Sequence, residues 1–242
     1  MSDYINQKSQ KPSEIQLTNF HVRESYKTAR TNIVYSILKE GCKKIVFTSS
    51  MKGEGKTVTS ANIACALAQQ INTKVLVIEC DLRAPKVHSV FKLNPTPGLT
   101  NYLCNECAVE DIIKTVATSS LDVICFGAVP PNPLELLSSD KMKELIKTLE
   151  EKYDYIIFDT PPVGVVSDAI PIVKLSDGIV IIAKNNYTTY PDLSKTINTI
   201  KKADGKILGA IINKIEIPRS KKSKYYKNYG YYDYCTTDSS KE

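Results

Sequence analysis

The sequence predicts an α/β fold: a parallel sheet with helices on both faces. Three observations predict it. Short, nearly continuous apolar runs rich in β-branched residues alternate with helical patterns along the chain, and strands buried on both faces read in this way. The series opens on a strand–loop–helix carrying Thr48-Ser-Ser-Met-Lys-Gly-Glu-Gly-Lys-Thr57. Acidic residues follow two later runs directly, at the carboxyl ends of strands, where open parallel sheets bind ligands.

Residues 1–20 are polar and read as a loosely structured arm. Glu24–Leu38 has a helical pattern, with Tyr26, Ile33, Ile37 and Leu38 available for one face. Lys44–Thr48 is a β-branched apolar run, and Thr57–Gln70 beyond the glycines is a helix. Strands follow at Lys74–Cys80 and Leu121–Phe126, a helix around Ser139–Glu151, and a strand at Tyr155–Phe158. A helix around Ser167–Leu175, strand Gly178–Ala183, helix Leu193–Ala203 and strand Ile207–Ile212 complete the alternation. The organisation expected is an arm (1–20), one domain (21–215) and a flexible basic, tyrosine-rich tail (216–242). Six of the 14 tyrosines fall in that tail, at Tyr225, Tyr226, Tyr229, Tyr231, Tyr232 and Tyr234, after the basic stretch Arg219–Lys224. Neither a period of 2 nor one of 3.6 organises them.

A chain of 242 residues that is 42% hydrophobic can bury one substantial core and is not disordered throughout. A net charge of +6 suits an anionic ligand or surface, but also an ordinary solvated exterior. Several of the seven cysteines lie inside apolar runs (Cys65, Cys80, Cys125), which reads as buried thiols in a reducing compartment. Cys104 and Cys107 have the spacing of a metal or redox pair, but no second pair accompanies them. No apolar stretch approaches the ~18–20 residues that span a bilayer, and the first twenty residues lack a signal-peptide core. The expectation is a cytoplasmic protein that reaches a membrane through a partner.

The most specific signal is the loop after the first strand. The phosphate-loop pattern Gly-x-x-x-x-Gly-Lys-Ser/Thr fits, with Ser50 at its first glycine. Gly53 and Gly55 let the backbone turn its N–H groups inward around an anion, with Glu54 between them and Val58 just beyond. Lys56 can reach β- and γ-phosphates and the Thr57 hydroxyl can ligate Mg²⁺. The alternative is a plain glycine turn. Asp81, after Val75–Cys80, and Asp159, after Ile156–Phe158, are carboxylates placed to hold Mg²⁺ or its waters beside the phosphates. A cap or turn role is the alternative for each.

Together these motifs resemble the bacterial tyrosine kinases of capsule and exopolysaccharide synthesis, a branch of the MinD/ParA-like P-loop ATPases. The resemblance covers residues 20–235 and implies a P-loop NTPase fold, ATP and Mg²⁺. The family's second motif, Asp-x-Asp-x-Arg after an apolar run, is matched by Glu79-Cys80-Asp81-Leu82-Arg83, with glutamate for the first aspartate. Its third, Asp-x-x-Pro, is matched by Asp159–Pro162. The resemblance implies catalytic roles for Lys56, Asp81, Arg83 and Asp159, with Asp81 positioning or deprotonating the acceptor tyrosine. It also implies that the tail tyrosines are acceptors, phosphorylated between subunits. Glu24, Lys27 and Arg30 resemble the family's Glu-x-x-Arg-x-x-Arg assembly helix, with Lys27 at the first arginine; a surface ion pair is the other reading. Asn213 stands where related ATPases contact adenine. The partners implied are a membrane adaptor of the polysaccharide co-polymerase type, further copies of the chain and a phosphotyrosine phosphatase.

A MinD/ParA-type positioning ATPase is the main rival. Such proteins carry an additional lysine five residues before the phosphate-loop lysine, a position held here by Met51. A nucleic-acid binder would use the basic, aromatic tail, but no nucleic-acid-binding module accompanies it. A eukaryotic-type protein kinase is excluded, because no His-Arg-Asp or Asp-Phe-Gly occurs. An ATP-dependent scaffold with incidental phosphorylation stays open.

Overall fold

The computed structural model describes residues 20–116 and 120–215. The tail tyrosines, the basic stretch and residues 1–19 lie outside the described residues. The elements in order are α1 (Phe20–Ser36), β1 (Lys43–Ser49), α2 (Lys56–Ala68), β2 (Val75–Glu79), α3 (Val87–Phe91), α4 (Leu99–Leu103) and α5 (Val109–Ile112). They continue as β3 (Ile113–Thr115), β4 (Leu121–Ile124), α6 (Pro133–Ser138), α7 (Asp140–Glu150), β5 (Tyr155–Asp159), α8 (Ile170–Leu175), β6 (Gly178–Lys184), α9 (Tyr190–Lys202) and β7 (Ile207–Asn213). One seven-stranded sheet runs β3-β4-β2-β5-β1-β6-β7.

The sheet is parallel except at one edge, where β3 pairs antiparallel with β4. The reason is chain length. A parallel crossover needs about a dozen residues or more, and the short link from Thr115 to Leu121 closes as a hairpin instead, with Val116 N–H donating to the Leu121 carbonyl at 3.0 Å. This strand and the short helices α3 to α6 are additions to the sequence reading. They are too brief for a period to show.

Strand alternation sorts the core into two layers. Val46, Leu76, Ile78, Ile124, Ile156 and Phe158 face one way, onto Leu137, Leu145, Leu149 and Ile172 of the following helices. Ile45, Phe47, Val75, Val77, Val123 and Ile157 face the other, onto Ile33 and Ile37 of α1 and Ile63 and Leu67 of α2. Helix α7 shows the logic locally. Met142, Leu145, Ile146 and Leu149 recur at helical spacing and are buried, and Ser139 caps the start by accepting from Met142 N–H at 3.2 Å. Fully burying each such side chain contributes about 1.5–3 kcal/mol.

Registration positions the site. Strand β5 lies between β1 and β2, and Asp159 pairs with Phe47 on one side and Glu79 on the other. The carboxyl ends of these three strands therefore lie side by side.

Candidate active site

β1 delivers the chain into the loop 50–55, and α2 begins at Lys56 with Gly55 as its N-cap. Gly53 and Gly55 have φ of 85° and 95°, the left-handed region that an L side chain resists. A Cβ on Gly55 would also lie 2.3 Å from Asn213 Nδ2. The loop is pinned at several points. Thr196 Oγ1 donates to Ser50 Oγ at 2.9 Å, and Gly164 packs so closely that a Cβ there would lie 2.4 Å from the Ser50 carbonyl. Glu54, fully buried, turns inward: Oε2 accepts Met51 N–H at 2.8 Å and Oε1 accepts the Thr188 hydroxyl. Asn213 Nδ2 donates to the Glu54 carbonyl and to Thr59 Oγ1, both at 3.2 Å.

The charged groups meet at the mouth of this loop. Lys56 is buried and its Nζ lies 3.9 Å from Asp81 Oδ2. Asp81 Oδ1 accepts Ala84 N–H at 3.1 Å, which fixes the turn after β2. Burial pushes the Asp81 carboxyl above its usual range, against the pull of Lys56. Asp159 is fully buried; Oδ2 accepts the Thr57 hydroxyl at 2.7 Å and Oδ1 accepts Ser60 Oγ at 3.3 Å. Burial drives its pKa up to about 7, with Lys56 and the Thr57 bond opposing.

These donors fit a nucleotide with Mg²⁺. A glycine loop in the left-handed region, a helix start and Lys56 suit an anion. Two carboxylates whose pKa burial raises, one of them bonded to a hydroxyl, form a hard-oxygen set whose ionised form a cation would favour. No group of three His, Cys, Asp or Glu among the described residues could hold a metal ion. The remaining ligands of Mg²⁺ would therefore be phosphate oxygens and waters, as that ion prefers.

Other expected residues are engaged elsewhere. Arg83 forms a two-point ion pair with the buried Asp168, through Nε to Oδ2 and from Nη2 to Oδ1 at 3.1 Å. The pair ties the loop after β2 to the loop after β5. Glu79, fully buried, spends its carboxylate on backbone: Oε1 accepts Val87 N–H at 2.5 Å and Oε2 accepts Phe126 N–H at 3.2 Å. Val58 is exposed at the start of α2. On α1, Lys27 pairs with Glu24 at 2.7 Å on the surface, and Arg30 Nη1 donates to the Ala66 carbonyl of α2 at 3.1 Å, where a cation complements the helix end. Arg30 Nε is buried without a hydrogen-bond partner among the described residues. Asp168, Thr188 and Thr196 are absent from the sequence reading. Their partners lie 85 to 146 positions away, and no local pattern marks them.

A parallel sheet with a glycine loop, an in-register lysine and two acidic strand ends defines a P-loop nucleotide-binding protein, and the AAA domain family profile matches residues 42–214. Among known proteins the chain is 40% identical over 209 residues to tyrosine-protein kinase YwqD of Bacillus subtilis, covering 86% of this chain and 85% of that one. It is 35% identical over 209 residues to the putative tyrosine-protein kinase CapB of Staphylococcus aureus, covering 86% and 90%. The kinase domain of Escherichia coli tyrosine kinase ETK superposes with a TM-score of 0.82 at 28% identity, covering 88% of this chain and 86% of that one. The septum site-determining protein MinD of Pyrococcus horikoshii, complexed with Mg-ADP, superposes with 0.61 at 27% identity, covering 74% and 75%. The chain belongs to the bacterial tyrosine kinases.

Proposed function

We propose that the chain transfers the γ-phosphoryl group of ATP to tyrosines of its own carboxyl-terminal segment, between copies, and thereby regulates capsule or exopolysaccharide synthesis and export. The observation that supports this best is the convergence of Lys56, Asp81 and Asp159 at the mouth of one phosphate loop. Loop N–H groups and Lys56 hold the β- and γ-phosphates and offset charge on the γ-phosphoryl oxygens. Thr57 and Asp159, with Asp81, would hold Mg²⁺, which would supply charge neutralisation at the phosphates. Asp81 orients the tyrosyl hydroxyl and accepts its proton as the tyrosyl oxygen bonds to phosphorus and ADP leaves. Burial lifts the Asp81 carboxyl above its usual range and makes it a better base than an ordinary aspartate. Asn213, bonded to the Glu54 carbonyl of the loop, would contact the adenine, and Arg83 ties the turn after Asp81 to Asp168.

Each phosphate adds about −1.5 to −2 charge. Several would reverse the charge of the basic tail, so tails gathered in one assembly would repel one another and loosen a homo-oligomer built partly through Glu24, Lys27 and Arg30. The working site is the cytoplasmic face of the membrane, reached through an adaptor of the polysaccharide co-polymerase type, with a phosphotyrosine phosphatase resetting the tail. No helix among the described residues is long and apolar enough to cross a membrane. Met51, where positioning ATPases carry a lysine, favours this reading over a MinD-type switch.

Mixing two variants tests it. One carries Lys56→Met with an intact tail; the other keeps the site but has all six tail tyrosines changed to Phe. With ATP and Mg²⁺, phosphotyrosine is expected on the Lys56→Met chain. If that chain stays blank while the unmodified protein labels itself, transfer occurs within one chain. No phosphotyrosine in any sample rejects the kinase reading.

A further inference from the structure

Glu54 sits between two glycines, Gly53 and Gly55, both in the left-handed region. That conformation gives the loop its inward curve, and glycine is also the least constrained of backbones. Something must hold the arch in one shape. Glu54 does so from beneath, because its carboxylate is fully buried and accepts Met51 N–H from within the loop. A buried carboxylate also needs its second oxygen satisfied.

Thr188, in the turn between β6 and α9, satisfies it. Its hydroxyl donates to Glu54 Oε1, and the same oxygen accepts Lys184 N–H at 2.7 Å. Only a hydroxyl can accept from one side and donate to the other in so little space. The turn is itself closed by Thr188 N–H donating to the Lys184 carbonyl at 3.0 Å. The relay therefore runs from the end of β6, through Thr188, to Glu54 and Met51. A weaker contact runs parallel to it, from the Tyr187 hydroxyl to the Lys52 carbonyl at 3.4 Å. Asp81 and Asp159, on the ends of β2 and β5, take no part.

The geometry points to Thr188 as a positioning residue for nucleotide binding, acting through Glu54 to hold the phosphate loop in its anion-binding shape. Both side chains spend their hydrogen bonds on each other and on the backbone of Met51 and Lys184. The inference rests on nucleotide binding in this loop, and it is read by binding rather than by phosphotyrosine.

The test titrates a fluorescent ATP analogue with Mg²⁺ into the full chain. The unmodified protein binds. Thr188→Val, which keeps shape and removes the hydroxyl, weakens affinity about ten- to hundredfold, the scale of losing fixed geometry at a binding loop. Thr188→Ser recovers most of the affinity. Glu54→Gln still accepts from Met51 and can donate to the Thr188 oxygen, so it loses less than Glu54→Ala. Adding Thr188→Val to Glu54→Ala costs little more, because the pin is already gone. Affinity of Thr188→Val within about twofold of the parent would overturn the inference, as would full additivity of the two changes. Equal losses in Glu54→Gln and Glu54→Ala would also overturn it, because they would show that the negative charge, rather than the hydrogen bonds to Met51 and Thr188, sets the affinity. Normal binding by a protein that makes no phosphotyrosine would reject the kinase reading and leave the relay standing.

Discussion

Asp159→Asn should stabilise the nucleotide-free protein while removing the stabilisation that Mg-ATP confers. Asp159 is fully buried and its pKa rises from 3.8 to about 7. A carboxyl whose folded value exceeds its unfolded value contributes stability below pH ~4 that is lost as pH rises to about 7. Above that, at pH 8, the carboxylate is ionised in both states and the native state carries the whole cost. A rise of this size corresponds to about 4 kcal/mol, at ~1.4 kcal/mol for each tenfold change in the protonation equilibrium. That figure is already net of Lys56 and Thr57; asparagine keeps an acceptor for Thr57 but buries amide N–H groups at a cost of about 1–3 kcal/mol, which leaves a gain of about 2 kcal/mol. For a chain of this length that is a rise in Tm of roughly 4–8 °C. At pH 5 the native carboxyl is already protonated, and the gain should shrink by about 2–3 kcal/mol, to zero or below. Thermal unfolding of both proteins at pH 5 and pH 8 measures this directly. With Mg-ATP at about 100 times its Kd the parent gains about 2.7 kcal/mol, and the variant should gain almost none. An unchanged Tm difference between the two pH values, or a variant less stable than the parent at pH 8, would refute the assignment of burial as the cause.

Lys56→Met should abolish phosphotyrosine formation and leave the circular dichroism spectrum unchanged, because the ion pair of its side chain with Asp81 is long, at 3.9 Å; undiminished labelling would remove Lys56 from the site. Gly55→Ala should weaken nucleotide binding by at least about tenfold, since a Cβ there meets Asn213 Nδ2 at 2.3 Å in a left-handed backbone, and calorimetric titration reads it. Asp168→Ala should destabilise the fold by about 1–3 kcal/mol and free Arg83, because it removes the buried partner of a two-point pair; urea unfolding checks the cost. Asp81→Ala should slow transfer more than it weakens ATP binding, and equal losses in rate and affinity would argue against a role as proton acceptor.

The sequence by itself determined the α/β class, the loop lysine Lys56, the acids Asp81 and Asp159 that follow strands, and the family. Each is a local property. A β-branched run, a glycine loop and an acid after a strand are readable within about ten residues, and parallel topology then places the strand ends on one edge. Tertiary structure decided what each polar side chain actually does. Glu54 sits in a phosphate-binding motif yet faces inward, because Thr188 lies beneath it. Glu79 and Arg83 sit in the second motif yet bind Val87, Phe126 and Asp168. The order β2-β5-β1 was likewise invisible, because strand neighbours far apart in sequence leave no mark on one another. A hydrogen bond requires a partner within about 3 Å, and sequence separation carries no information about that distance. The chain's residues specify which groups must be satisfied; only the folded sheet brings the groups that satisfy them.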